Sequence, residues 1–134
     1  MVTHWLYKTD PDLNQFGFVY CITNLKTNKS YIGCKQYYNY RKRKKKKESD
    51  WRSYTGSSKQ LNEDIKTFGK KNFRFEIIAE FINKRSLKYY ECYYQMKHDV
   101  LTATLEDDSP AYYNNYIGGK FYRPVQDGDK SWQN

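Results

Sequence analysis

The sequence predicts an α+β domain: a small three-stranded antiparallel sheet flanked by helices. Three observations predict it. A turn-rich hexapeptide, Asn24-Leu25-Lys26-Thr27-Asn28-Lys29, separates two β-prone runs, Phe16-Gly17-Phe18-Val19-Tyr20 and Tyr31-Ile32-Gly33, the pattern of a hairpin. A later run, Phe73 to Phe81, places Phe73, Phe75, Ile77 and Ala79 in alternation with Arg74, Glu76, Ile78 and Glu80, so it reads as a third strand. Two stretches with helical spacing flank that strand in the chain.

Residues 1–15 read as a lead-in, with Trp5 and Leu6 on the outside of the domain and a turn or helix start at Thr9-Asp10-Pro11-Asp12. The first strand spans Gly17 to Ile22; its imperfect alternation suits burial on both faces. The second spans Lys29 to Gly33 and pairs with the first. From Cys34 to Lys47 a basic helix is expected, with Arg41 and Lys45 one turn apart on one face and Tyr37 or Tyr40 packed on the sheet. Glu48 to Tyr54 is a loop or helix end. Ser57 or Ser58 caps a helix over Lys59 to Phe68, with Leu61, Ile65 and Phe68 as its buried stripe and Gly69 as its stop. After the third strand, Asn83-Lys84-Arg85-Ser86 turns into a second helix, about Ser86 to His98, with Leu87, Tyr90, Tyr94 and Met96 or Lys97 as its inner and flanking positions. Leu101 to Pro110 is a polar connector. The domain is expected over 16–119, and residues 120–134 form a tail.

At 134 residues the length fits one domain. Fifteen tyrosines and an aromatic content of 19% mean that rings fill much of the core, and that some hydroxyls line a wet cleft. Twenty-four Lys plus Arg against fifteen Asp plus Glu give a net charge of +9, which draws a polyanion. From Lys35 to Lys47 there are eight cations and no acid. The plain alternative is a solvated lysine-rich helix. The three cysteines, Cys21, Cys34 and Cys92, show no CxxC spacing and do not make a zinc pattern; reduced thiols in a cytoplasm-like compartment are expected. No apolar run is long enough for a membrane span, and the first residues lack the apolar region of a secretory signal.

Several residues stand out for chemistry. Tyr20 and Tyr31 are eleven positions apart and, in an antiparallel pair, fall on one face with hydroxyls converging; otherwise they are ordinary strand formers. Glu91 sits in mid-helix among Tyr89, Tyr90, Tyr93 and Tyr94. A hard divalent cation would give that carboxylate a purpose; the alternative is an exposed glutamate paired with Lys88 or Gln95. The helix start at Ser57, Ser58 and Lys59 offers free N–H groups to a phosphate, or is a cap only. Asp64-Ile65-Lys66 matches a (D/E)xK pair but lies in a helix with an apolar stripe. Glu106-Asp107-Asp108 reads as a solvated loop.

Phe18-Val19-Tyr20, Tyr31-Ile32-Gly33, Arg41 ten positions further on, Tyr54-Thr55-Gly56-Ser57-Ser58-Lys59, Phe68-Gly69-Lys70-Lys71-Asn72-Phe73 and Glu91 occur in that order. The set resembles the GIY-YIG nuclease superfamily over roughly residues 16 to 118. It departs from the eponymous motif at Phe18 and Val19, where the family has glycine and isoleucine. The resemblance implies a metal-dependent endonuclease that hydrolyses DNA with one divalent ion, Mg²⁺ or Mn²⁺, held by Glu91. It implies a phosphate clamp at Arg41, Tyr20 and Tyr31 as the proton acceptor and its partner, and a supporting asparagine, Asn114, with Asn115 one residue away. Lys35, Arg43, Lys44, Lys45, Lys46, Lys47, Tyr54, Ser57, Ser58 and Lys59 are expected to bind nucleic acid, double-stranded DNA above all. The expected setting is a monomer or weak homo-oligomer without a membrane partner, in the cytoplasm (the host's, if a phage or mobile element encodes it). The competing class is a non-catalytic nucleic-acid-binding protein on the same scaffold, using the same basic segment and stacking tyrosines.

Overall fold

The computed structural model describes residues 2–118; the expected tail lies outside the described residues. A three-stranded antiparallel sheet in the order β2-β1-β5 carries the domain. Here β1 is Gly17–Asn24, β2 is Ser30–Gln36 and β5 is Phe73–Phe81. Helix α1, Lys59–Phe68, and helix α2, Lys84–Lys97, flank it. The bounds of α1 and β5 coincide with those expected.

Strand β1 is central and buried on both faces, as its run of apolar residues requires. Phe18, Tyr20 and Ile22 join one core cluster with Leu61, Phe75 and Trp51, while Val19 joins a second with Leu87, Phe81 and Tyr90. The β1–β5 register shifts between Val19 and Tyr20, an irregularity that re-aims side chains locally. It stands beside Tyr20, at the site described below.

Both edges of the sheet are covered, which removes the exposed backbone an open edge would offer. Along β5, Leu6 makes a parallel bridge to Glu76, with Leu6 N donating to Phe75 O and Ile77 N to Leu6 O. This docking carries Trp5 inward. Trp5 is 3% exposed and lies in the core with Tyr20, Phe18 and Trp51, so the expected outside position is corrected; Leu6 does face out. Along β2, Ser30 N donates to Ala111 O and Tyr113 N to Ser30 O.

The segment from Cys34 to Lys47 departs from expectation most. It is not a helix. Strand β2 continues to Gln36, and a second, two-stranded sheet follows, β3 Tyr38–Arg41 against β4 Lys44–Glu48. A helix would stack like charges three and four apart; extended pairing lets the lysines splay. Tyr37, fully buried against Trp51 and Phe18, pins the root. At the tip, Lys42 and Arg43 both hold positive φ, 52° and 65°, the conformation of a tight hairpin turn.

Ser58 Oγ accepts from Leu61 N at 3.2 Å, so Ser58 is the cap of α1, and Gly69 at φ 89° ends that helix. Leu61 is buried, Ile65 packs on the core and Phe68 is 37% exposed, so the inward stripe stops at Ile65. On α2, Leu87, Tyr90, Cys92 and Gln95 face inward, while Met96, expected at the inner or flanking face, is exposed.

His4 stacks on Phe75 with centroids 4.0 Å apart and bonds Tyr54 O through Nε2 at 2.9 Å. Burial, aided by nearby Lys70, lowers its pKa from 6.5 to about 4. The folded state therefore favours neutral imidazole. Stability from this group is complete above pH 6.5 and is lost as pH falls toward about 4. Thermal melting followed across that window should show His4→Gln falling less steeply than wild type; parallel curves would refute the assignment.

Candidate active site

A cleft of about 460 Å³ opens where β1, β2, the start of α1, α2 and the 113–118 segment converge. Its lining includes Tyr20, Tyr31, Tyr54, Ser57, Ser58, Lys59, Lys88, Glu91 and Asn114. Residues from distant parts of the chain thus meet, and the sheet register explains how.

Tyr20 pairs across β1–β2 with Gly33, and Tyr31 stands two residues from Gly33 on the same face. The two rings lie 6.2 Å apart. Gly33 provides the space between them. A Cβ built there would sit 2.6 Å from Tyr20 Oη and 3.0 Å from Tyr31 Cε2. Tyr20 itself is 1% exposed, wedged against Trp5 and Tyr54.

Tyr31 Oη bonds Ser57 Oγ at 3.3 Å, which ties the second strand to the residue before the α1 cap. Burial raises the pKa of Tyr20 well above the usual phenol value, and neighbouring Tyr31 and Tyr54 raise it further. Burial also raises Tyr31, against the opposing effect of the Ser57 hydrogen bond. Without added positive charge, both phenols are held protonated at neutral pH.

Glu91 reaches the cleft from α2. Its side chain is 18% exposed, and Lys88 Nζ lies 4.0 Å from Oε1. The Cys34 thiol beside it is pushed up to about 12, by burial first and then by the Glu91 charge. A partly buried carboxylate whose protein partners are the long Lys88 ion pair and the neighbouring Cys34 thiol, among hydroxyl and amide oxygens, is a donor set that suits a hard divalent cation. Among the described residues no cluster of three or more His, Cys, Asp or Glu occurs. A metal here would therefore have one protein carboxylate and otherwise water or substrate oxygens, which is how Mg²⁺ commonly binds.

Asn114 lines the cleft, and its amide is spent on the edge of β2. Oδ1 accepts from Ile32 N at 3.1 Å and Nδ2 donates to Ile32 O at 2.8 Å, where Gln95 also donates. It holds the Tyr31–Gly33 strand in place. Asn115 lines the cleft as well. Asp64 does not form a second site: Oδ2 accepts from Tyr113 Oη at 2.7 Å, and Tyr113 Oη accepts from Asn24.

Arg41 is not brought to this place. It stands exposed on β3, paired with Lys44, and does not line the cleft. The cations lining the cleft are Lys59, the first residue of α1, and Lys88. Lys88 was legible only as the residue three before Glu91 on one helix face. Lys35 is committed internally, 2.7 Å from Asp50 and over the Tyr54 ring at 4.0 Å. Arg43, Lys44, Lys45, Lys46 and Lys47 are exposed on the hairpin. No helix among the described residues is long and apolar enough to cross a membrane.

The family model described as "Putative endonuclease segE, GIY-YIG domain" matches residues 4–117. The comparisons with curated proteins and with solved structures return no match.

Proposed function

Given that the chain belongs to the GIY-YIG endonuclease family, we propose that it cuts DNA by divalent-metal-dependent hydrolysis of phosphodiester bonds in the Tyr20–Tyr31–Glu91 cleft. The observation that carries this reading is the meeting of Tyr20, Tyr31, Lys59 and Glu91 around one oxygen-lined opening. Such hydrolysis sets three tasks: deprotonating the attacking water, neutralising charge on the phosphate, and stabilising the leaving 3′ oxygen.

Glu91 would hold Mg²⁺ or Mn²⁺, with water and substrate oxygens completing the shell. A bound ion of this kind supplies charge neutralisation at the phosphate and the leaving oxygen. Lys59 and the N–H groups at the start of α1 would hold a non-bridging oxygen, the role sequence reasoning assigned to Arg41. Tyr20 takes the proton from water and Tyr31, held by Ser57, orients the water or phosphate. Asn114 keeps β2 in register, so it positions rather than reacts. Ser57, Ser58 and Tyr54 contact the polynucleotide backbone at the cleft wall.

A phenol is a weak base near neutrality, and burial makes both of these weaker. Cleavage measured under single-turnover conditions should therefore rise with pH from 7 to about 9, because the whole range lies below the raised phenol pKa and the phenolate fraction keeps growing across it. Tyr20→Phe should abolish that rise together with most of the activity. A flat wild-type profile, with chemistry rate-limiting, would remove tyrosine as the base.

A further inference from the structure

Seven of the chain's cations, Arg41 to Lys47, form an uninterrupted run on the β3–β4 hairpin. Arg41 and Lys44 face each other across it, and like charges directly opposite destabilise a strand pair. Among the described residues none of the seven has a carboxylate within ion-pair distance. Glu48, the acid at the end of β4, is spent on Arg52 at 2.8 Å. An isolated two-stranded ribbon is marginal in water, and this one repels itself.

The root, by contrast, is firmly built. Tyr37 is buried; Ser49 N donates to Tyr37 O and Ser49 Oγ to Gln36 O. Tyr40 stacks on Phe16, and Lys45 lies 4.1 Å over the Tyr38 ring. Both ends of the hairpin segment feed the cleft: β2 leaves it at Cys34, and the chain returns to it at Tyr54. A rigidly rooted, unneutralised basic ribbon therefore projects from the cleft margin.

We propose that this ribbon enters the major groove of a DNA duplex and that the preferred substrate is accordingly double-stranded. A two-stranded ribbon fits a groove about 12 Å wide and 8.5 Å deep, and four to five residues of strand extend about 13–17 Å, enough to reach its floor. The tip residues Lys42 and Arg43 meet the groove, and the flanking lysines meet the two phosphate walls. The proposal rests on the polynucleotide reading of the cleft but not on its catalysis, so binding is measured in EDTA.

Two variants test it. One replaces Asn39–Lys47 with a short Asn-Gly turn. The other keeps the backbone and combines Arg43→Gln, Lys44→Gln and Lys46→Gln. Near-ultraviolet circular dichroism and melting verify the fold of each. For the shortened variant, duplex affinity should fall about 30-fold or more, and the slope of log affinity against log salt should flatten by about 3. Affinity for the single strand of the same sequence should fall much less. Methyl green, which occupies the major groove, should displace wild type, and netropsin in the minor groove should not. The glutamine variant should move in the same direction. Equal losses on both strand forms, displacement by netropsin, or unchanged duplex affinity in a folded variant would each overturn the ribbon assignment. Failure of wild type to bind any nucleic acid would overturn the cleft reading with it.

Discussion

Replacing Glu91 by glutamine is expected to slow strand cleavage by about 10³-fold, the size of effect seen when one preorganised charge-stabilising group is lost. Binding of duplex DNA in EDTA should stay within about threefold of wild type, because the change touches none of the hairpin cations proposed to carry affinity. Melting should also be little affected, since the Lys88 pair is 4.0 Å long and contributes little. A separate readout checks that the carboxylate sits where described. The Glu91 charge is the second contributor to the elevated Cys34 pKa, behind burial. In Glu91→Gln the thiol should therefore titrate lower while remaining above its ordinary value. Full cleavage by this variant would remove the metal assignment. An unchanged Cys34 titration would show that the two side chains do not face each other.

The second large effect concerns a residue with no functional group. Gly33→Ala adds a Cβ that would lie 2.6 Å from Tyr20 Oη and 2.9 Å from Tyr20 Cζ. The Tyr20 ring cannot yield easily, because Trp5 and Tyr54 hold it at centroid distances of 5.0 and 6.1 Å. Tyr31 closes the other side, 3.0 Å from the added carbon. The extra atom must therefore displace the hydroxyl proposed as base or push β2 off its Asn114 clamp. Overpacking of this kind costs about 1–3 kcal/mol of stability, and a reacting group misplaced by about 1 Å costs about 10²-fold in rate. Melting and single-turnover cleavage of Gly33→Ala together check both parts. Unchanged values would mean that the tyrosine spacing is irrelevant to the reaction.

The three strands of the main sheet and both helices were legible, β5 and α1 because each carries a period that only one structure satisfies. Phe73 to Phe81 alternates, and Leu61 and Ile65 lie four apart behind a serine cap. The doubly buried β1 was legible from its unbroken apolar run. The basic segment was not, for a physical reason. A run of cations has no inside and outside, so no period separates helix from strand. What decides it is tertiary: Tyr37 must enter the core against Trp51, a contact that depends on residues far along the chain. The burial of Trp5 escaped notice for a similar reason. The lead-in is ordered by the free edge of β5, which sequence does not display.

The site divides in the same way. The pairing of two strands and the crowding of tyrosines around one acid single out Tyr20, Tyr31 and Glu91, the family resemblance singles out Asn114, and the four line one cleft. The family resemblance gives Arg41 a phosphate clamp on an expected helix; the segment is a hairpin, and Arg41 does not line the cleft. Lys88 was passed over as an ordinary partner for its neighbour on α2.

The most direct measurement is incubation of supercoiled plasmid with the protein in Mg²⁺ and in Mn²⁺, with and without EDTA, alongside Glu91→Gln. Nicked and linear forms appearing with wild type in either metal, vanishing in EDTA and nearly absent with the variant, are the predicted result. Plasmid bound tightly yet left intact under every metal condition would contradict the account and leave a DNA-binding scaffold without chemistry.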